Sequence, residues 1–189
     1  MPAADTAAGL GHWCDPSRRE NYSLHTAAVN AKGNSLHESA VKKEGRSMTE
    51  TNAPSAELES HYVLGETLKP MLTNGMGSAI EIFDTRGKPG GGPPPHKHAW
   101  EEIYIVLSGE MDVIVNGETQ RLCAGDYAHV PANTPHGYTT LDDTHFLTIV
   151  SKGNASKFFK QVSDEVEMNP PDIPGVLRVG AENGITFLS

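Results

Sequence analysis

Three side chains able to bind a metal lie close together between residues 96 and 102. His96, His98 and Glu102 stand at even offsets from one another. Side chains of an extended strand alternate between its two faces, so these three would project from the same face. Glu101 has the opposite parity and is expected to point outward. The spacing therefore predicts that Glu102, and not its acidic neighbour, joins the two histidines.

A fourth imidazole is expected at the same place. His136 follows Pro131 and Pro135 at the start of a predicted strand, where a rigid turn would aim it at the same interior. This fourth residue matters because a His-x-His pair alone also arises by chance on surface strands. Three imidazoles and one carboxylate suit Fe, Ni, Co or Mn, with Zn possible, and leave an octahedral metal two open positions. We predict one divalent metal ion held by a set of four ligands: His96, His98, Glu102 and His136.

The chain around these residues is patterned as short strands. Apolar runs broken by Gly, Pro and Asn predict strands over residues 78–83, 103–107, 111–115, 127–130 and 146–150. The pair Asn116-Gly117 supplies the two positive φ angles of a tight hairpin. Strands spaced by about eight to twelve residues favour an antiparallel sandwich or barrel. The sequence therefore predicts an all-β fold.

The chain after the last predicted strand has a different character. One helix is predicted over residues 155–162, with Asn154 as its N-cap and an apolar face that includes Phe158 and Val162. The prolines and glycine over residues 169–175 predict an extended tail. We divide the chain into a flexible or swapped N-terminal arm (1–55), a barrel with a C-terminal helix (56–168) and an extended tail (169–189).

Charge and composition limit the partners. The chain has 15 Lys and Arg against 24 Asp and Glu, a net charge of −9, which disfavours nucleic acid or an anionic membrane. The absence of a long apolar run and of a secretory signal predicts a cytoplasmic protein. Cys14 and Cys123 show no CxxC spacing, which excludes a structural zinc finger and a disulfide framework. We interpret Cys123 as a small buried residue in a reducing cytosol.

Two glycine-bounded motifs carry a family resemblance. The first has Gly90, His96, His98, Glu102 and Gly109, separated by five, one, three and six residues. The second has three fixed positions and a turn residue: Gly125, Pro131, Asn133 and His136. Together they resemble the two conserved motifs of the cupin superfamily, over roughly residues 60–152. The resemblance implies a double-stranded β-helix, or jelly-roll, barrel.

The second motif departs from the usual cupin pattern at two positions. Asn133 stands where Gly is usual, and Thr140 stands where Asn is usual. Asn tolerates the left-handed backbone region, so the first change is mild. Neither departure touches a ligand position of the motif.

Within the superfamily, the chain looks like small quercetin dioxygenase-like cupins. The resemblance rests on Pro93-Pro94-Pro95 before His96, on residues 130–138, and on Phe158-Phe159. It implies a metal-dependent dioxygenase acting on a small phenolic or enolisable, flavonol-like substrate. The same barrel also carries redox-neutral isomerases, cyclases and lyases, and non-catalytic binding proteins, so all three classes stay open.

Further residues are expected to line the substrate pocket. Tyr104 and Val106 continue the parity of Glu102, and Tyr138 lies two residues after His136. Glu102 is predicted to act also as a general base if it leaves the metal when substrate binds. The predicted partners are a small-molecule substrate and possibly dioxygen, with a homodimer covering exposed strand edges.

Two aromatic side chains near the ligands are less decisive. Trp100 shares the parity of the ligands and would contact the pocket unless a bulge turned it away. His129 is expected to face outward, because strand histidines usually do so.

Overall fold

The computed structural model describes residues 58–188 and shows two facing antiparallel sheets. The six-stranded sheet has the order β1-β2-β3-β10-β5-β8, and the five-stranded sheet has the order β11-β4-β9-β6-β7. The strands are β1 (His61–Val63), β2 (Glu66–Leu72), β3 (Ile80–Gly87), β4 (His96–Lys97), β5 (Glu102–Ser108), β6 (Glu110–Val115), β7 (Glu118–Cys123), β8 (Tyr127–Val130), β9 (His136–Thr140), β10 (Thr144–Ser151) and β11 (Thr186–Phe187). This confirms the predicted all-β jelly-roll class.

Alternation along the strands places one face of each sheet in the interior. All eight residues of β10 alternate between buried and half-buried positions. One apolar cluster, which includes Met111, Leu122 and Phe146, fills the space between the sheets. A second, which includes Phe83 and Val162, lies under the helices. The two clusters bracket the part of the barrel where the polar side chains converge.

The hairpin predicted at Asn116-Gly117 is present between β6 and β7. Asn116 has φ 52° and Gly117 has φ 84°, and Val115 pairs with Glu118 across the turn. Asn133, the other expected left-handed position, has φ 62°.

Helix α1 (Ala155–Glu165) starts where the sequence predicts it and continues one turn further. Phe158 and Val162 are buried, as expected. The Asn154 side chain does not cap the helix but donates from Nδ2 to the Asn183 carbonyl, 3.2 Å away. Instead the buried carboxylate of Glu81 accepts hydrogen bonds from the backbone amide and hydroxyl of Ser156 in the first turn.

The prediction of an extended tail over residues 169–189 is wrong. The chain forms helix α2 (Ile173–Glu182) and then β11, which pairs with β4. Asp172 caps α2 by accepting from the Gly175 amide at 3.2 Å, and Pro174 occupies the first turn. Proline is tolerated there because the first amides of a helix have no intrahelical acceptor, so the Pro-Gly pair marks a helix start.

The remaining expectations concern the N-terminal arm, Cys123 and the helices. The arm predicted over residues 1–55 lies outside the described residues. Cys123 is buried as expected, but its sulfur is in a disulfide, which the interpretation of a reducing cytosol did not anticipate. Neither described helix, at 11 and 10 residues, is long and apolar enough to cross a membrane.

Candidate metal centre

The four predicted ligands come together between the two sheets. His96 lies on β4 directly opposite His136 on β9, in the five-stranded sheet. Glu102 is the first residue of β5, in the six-stranded sheet. His98 lies in the connection that crosses from one sheet to the other. All four residues are buried, and one ligand atom from each lies within 4.8 Å of the others.

The four side chains converge for a different structural reason than the alternation of side chains along one strand predicted. The chain does not run as a single strand from residue 96 to 102, because β4 ends at Lys97. The ligands converge because the two sheets face each other, and not because they share one strand face. Glu101 nevertheless points outward and is exposed, as expected.

Each histidine is oriented by a backbone carbonyl two residues away. The Nδ1 atoms of His96, His98 and His136 lie 3.0, 2.9 and 2.8 Å from the carbonyl oxygens of Pro94, Trp100 and Thr134. Donation from Nδ1 leaves the Nε2 lone pair of each ring free for a metal. The Nε2 atoms of His98 and His136 lie 2.9 and 3.3 Å from Glu102 Oε2. Three nitrogens and one oxygen therefore converge on one point.

The protonation states of the site residues favour the binding of a cation. Burial, followed by the charge of His136, lowers the pKa of His96 to about 4, so its ring is neutral near pH 7. Burial acts to raise the pKa of Glu102, but the close contacts with His136 and His98 outweigh it and hold that pKa well below its usual range. For His136, burial lowers the pKa, and the contact with Glu102 outweighs this and raises it. The site thus combines a neutral imidazole and a carboxylate that stays ionised.

Trp100 is part of the support of His98. Its indole stacks on the imidazole, with ring centroids 4.2 Å apart and planes 6° apart. On its other side the ring packs against Gly153, where a Cβ would come within 2.5 Å of the indole. Trp100 is 6% exposed and lines the cavity beside the ligands. The position that the sequence left open is therefore a wall position.

A cavity opens at the ligand cluster. Its volume is about 630 Å³ when counted out to the solvent at its mouth. The C-terminal elements close one side of it, through Phe158 and Phe159 of α1, Ile185 and Phe187. Phe187 pairs with His96 across β11 and β4, and the two rings lie 5.7 Å apart. The tail that was predicted to be extended thus forms part of the wall.

The predicted pocket residues divide into two groups. Tyr104 and Tyr138 line the cavity, with ring centroids 5.0 Å apart. Burial raises the pKa of both hydroxyls well above the usual value, so both stay protonated. Val106 packs instead in the core cluster with Met111 and Phe146 and is not among the described residues that line the cavity. The parity argument placed it on the correct face but too far along β5.

A second carboxyl in the cavity was missed by the sequence analysis. Glu66, on β2, is 3% exposed and accepts a hydrogen bond of 2.7 Å from the Tyr138 hydroxyl. Its other oxygen, Oε1, has no hydrogen-bond partner among the described residues. Burial raises the pKa of Glu66 to about 8 despite the bond from Tyr138. The available signal was its inward parity with Leu68, since an acidic residue at a buried strand position needs a reason.

Two other residues behave as their positions suggested. His129 is exposed and lies 3.6 Å from Glu101 on the outer surface, away from the ligands. Thr140, which replaces a usual Asn, donates its hydroxyl to the Lys88 carbonyl and ties β9 to the loop after β3. The departure at Thr140 therefore leaves the ligand geometry intact.

Known proteins resemble part of this chain. Residues 85–150 match the Cupin domain family. Quercetin 2,3-dioxygenase of Bacillus subtilis (strain 168) is 31% identical over 107 residues, which are 54% of this chain and 32% of that protein. Dimethylsulfoniopropionate lyase DddQ of Ruegeria pomeroyi is 34% identical over 62 residues, 32% of this chain and 31% of that protein. The chain thus spans about a third of each curated relative.

Solved structures of lower identity are also similar to part of the chain. An RmlC-like cupin from Shewanella frigidimarina is 20% identical, covers 55% of this chain and 91% of its own, and superposes with a TM-score of 0.49. KdgF from Halomonas sp. is 24% identical, covers 52% of this chain and 89% of its own, and has a TM-score of 0.46.

The residues that match the Cupin domain family include all four ligand positions and the strands β4, β5 and β9 that carry or flank them. The motifs, the two-sheet barrel and this match agree that residues 85–150 form a cupin domain.

Proposed function

We propose that this protein is a metal-dependent dioxygenase that acts on a small phenolic or enolisable, flavonol-like substrate. The observation that carries the proposal is the buried cluster of three imidazoles and one carboxylate at the end of an apolar cavity. The 31% identity to quercetin 2,3-dioxygenase supports the oxygenase class. The small-molecule substrate is supported by the enclosed, largely apolar lining of the cavity.

The proposed cofactor is one divalent metal ion, Fe, Ni, Co or Mn, with Zn possible. The residues fit such an ion, because their donor atoms converge within 4.8 Å and the three Nδ1 atoms are already engaged by carbonyls. The donor set lacks thiolate, which suits these borderline metals. When bound, the metal would supply Lewis-acid activation of the substrate oxygen and a template for dioxygen.

The chain supplies orientation and exclusion of water. Phe158 and Phe187 cover the cavity on its C-terminal side, which keeps the reacting groups in an environment of low dielectric. The Tyr104 hydroxyl is buried and has no hydrogen-bond partner among the described residues. Tyr104 and Tyr138 are the proposed substrate contacts. A substrate oxygen in the cavity would satisfy the buried Tyr104 hydroxyl, whereas the Tyr138 hydroxyl already donates to Glu66 and would contact substrate through its ring.

Glu102 is proposed to be both a ligand and the general base. Its Oε2 lies within 3.3 Å of two ligand imidazoles, so the carboxylate is placed where the substrate hydroxyl must approach. Glu102→Gln keeps the shape and removes the basic oxygen. Once the variant has been reloaded to the metal content of the wild type, a strongly reduced single-turnover rate is expected. An unchanged rate and pH profile would remove the base role.

The decisive experiment combines metal analysis with oxygen uptake. Protein purified without an affinity tag is assayed by mass spectrometry for metal per protomer, and then for dioxygen consumption with flavonols, phenols and 1,3-diketones. Stoichiometric metal and substrate-dependent oxygen uptake are expected. The variant His98→Ala is expected to lose the metal. His129→Ala is its matched control, because His129 is exposed and remote from the ligands. Metal-loaded protein that consumes no oxygen with any of these compounds would refute the dioxygenase.

The second candidate is a redox-neutral lyase, isomerase or cyclase on the same site. The 34% identity to a dimethylsulfoniopropionate lyase over 62 residues supports this second candidate. Here the carbon next to a substrate carbonyl would lose its proton to a basic residue of the site, and no oxygen would be consumed. Full turnover under strict anaerobic conditions separates this candidate from the dioxygenase.

We further propose that the protein is a homodimer joined through the outer face of the six-stranded sheet. The registers place Ile105 beside Leu147 and Tyr127, and Ile103 beside Ile149. Tyr127 is 67% exposed. Six strands about 4.8 Å apart and up to eight residues long form a flat face of about 600 Å². This area does not include the extra surface of the protruding side chains. It is close to the roughly 800 Å² that each partner buries in a stable interface.

The oligomeric state is measured by sedimentation velocity. The wild type is expected as a dimer and Tyr127→Asp as a weakened dimer. Leu177→Asp on helix α2 is the control, since its side chain is also exposed but lies outside the six-stranded sheet. A wild type that sediments as a monomer at micromolar concentration refutes the dimer.

A further inference from the structure

The cavity beside the proposed metal site contains acidic groups and no basic ones. Of the described residues that line it, Glu66 and Glu102 carry carboxyl groups, and none is Lys or Arg. Burial, and to a smaller extent the charge of Glu102, raise the pKa of Glu66. The remaining polar groups are uncharged hydroxyls and the ligand imidazoles, among them the Thr148 hydroxyl, which is already bonded to Thr85.

Charge balance then limits the ligand. A divalent ion and the Glu102 carboxylate sum to one positive charge, because the imidazoles donate their Nδ1 protons to carbonyls and coordinate as neutral rings. An ionised Glu66 would only lower this sum, so one positive charge is its upper limit. One ionised oxygen of a substrate brings the buried sum to zero. A second ionised oxygen leaves a net negative charge in a cavity with no basic partner, and buried unpaired charge is strongly unfavourable.

We propose that the site binds substrates that chelate the metal with at most one negative charge and whose remaining surface is apolar. Enolates of 1,3-diketones and phenolates with an adjacent carbonyl meet this condition. Dicarboxylates and acidic sugars do not, although their oxygens would chelate equally well. The inference rests on the proposed function for the presence of a metal, but it holds for the redox-neutral candidate as well as for the dioxygenase.

The apolar part of the proposal follows from the rest of the lining. Leu68, Val150 and Phe158 are at most 6% exposed and face the same cavity as the ligands. A hydroxylated or charged substrate body would have to leave its hydration shell with few groups to replace it. An aromatic or alkyl body gains from the same contacts.

The test uses two probes that form chelate rings of the same size. Acetylacetone binds as a singly charged enolate and malonate as a dianion. Full-length protein loaded with Co²⁺ is titrated with each probe under nitrogen, and binding is followed by the visible absorption of Co²⁺. Each affinity is divided by that of the same probe for aqueous Co²⁺, which removes its intrinsic preference. We expect normalised discrimination against malonate of at least about 100-fold.

A charge substitution at the cavity wall supplies the second measurement. Phe187 is half-buried, lies near the chain end and has its ring 5.7 Å from that of His96. Phe187→Arg places a cation beside the site and is expected to recover malonate binding by about tenfold relative to acetylacetone. Phe187→Met, with a neutral side chain of similar length, is expected to leave the ratio unchanged. Melting temperature and Co²⁺ content verify that both variants are folded and loaded.

The outcomes separate this inference from the proposed function. Failure to load Co²⁺ refutes the metal site and both proposals with it. Loading and selective binding of acetylacetone without oxygen uptake by the enzyme with its native metal refutes the dioxygenase and supports the charge limit. Normalised affinities for the two probes within about threefold, or an unchanged ratio in Phe187→Arg, overturn the charge limit alone.

Discussion

Replacing Glu66 with glutamine is expected to change how stability depends on pH. The Glu66 carboxyl is 3% exposed, and burial raises its pKa from 4.5 to about 8. Over this range the folded protein keeps the proton while the unfolded chain releases it. The folded state therefore binds more protons, and its stability must fall as pH rises from 4.5 to 8. Glutamine has nearly the same shape and does not titrate, so Glu66→Gln lacks this loss.

The size of the effect follows from the two pKa values. One group with these values lowers the free energy of unfolding by about 1.4 kcal/mol per pH unit between them, which amounts to about 3.5 kcal/mol from pH 5 to pH 8. Opposing contributions, such as that of His96, whose pKa is lowered, are shared by the wild type and the variant. They cancel when the two proteins are compared at each pH. Glu66→Gln is thus expected to gain about 3.5 kcal/mol relative to wild type over this range.

The assay is urea unfolding of the metal-free proteins at pH 5, 6.5 and 8. Metal is removed with chelator because its binding would add its own pH dependence to the folded state. Glu118→Gln is the matched control, since Glu118 is exposed at the β6–β7 hairpin. A difference between Glu66→Gln and wild type that stays constant within about 0.5 kcal/mol over the three pH values would show that Glu66 is ionised in the folded protein.

Three further substitutions test the site and its frame. His96→Ala should lower bound metal at least about tenfold by mass spectrometry, whereas His129→Ala should not; equal metal in both would exclude His96 as a ligand. Tyr138→Phe removes the hydrogen-bond donor of the buried carboxyl it contacts and should cost about 1–3 kcal/mol in urea unfolding at pH 8. Gly92→Ala should cost about 2–4 kcal/mol by the same measurement, because a Cβ there would lie 2.4 Å from the Tyr138 carbonyl. Gly77→Ala, at a positive φ with open space, should cost only about 1 kcal/mol, and equal costs would contradict the clash.

Local signals in the sequence were sufficient for the strands and the hairpin. Alternating apolar residues and the Asn116-Gly117 pair depend only on near neighbours, and the structure has β6 and β7 joined at that pair. The same is true of α1, whose apolar positions recur with helical spacing. The C-terminal tail was misread because Pro174-Gly175 is compatible with both a turn and a helix start. Burial of Val176 and Val179 against the rest of the chain favours the helix.

The grouping of the four ligands was also predictable, although the reason given for it was not. Their types and spacing within the cupin motifs predicted that His96, His98, Glu102 and His136 lie together, and the structure groups them. Parity on one strand does not bring them together, since β4 and β5 belong to different sheets. The same parity rule predicted that Val106 lines the pocket, but Val106 packs in the apolar core. Parity fixes the face of a strand but not the position along the barrel.

The sequence by itself determined the all-β class, the hairpin, the first helix and the identity of the residues available to bind a metal, because each depends on short-range periodicity or on a spaced motif. Only the tertiary structure decided which side chains share the cavity. Glu66 comes from β2 and Phe187 from the chain end, and both reach the ligands only when the sheets close and β11 pairs with β4. Contacts between residues so far apart in the chain leave no periodic signal, since they are selected by the packing of the whole barrel.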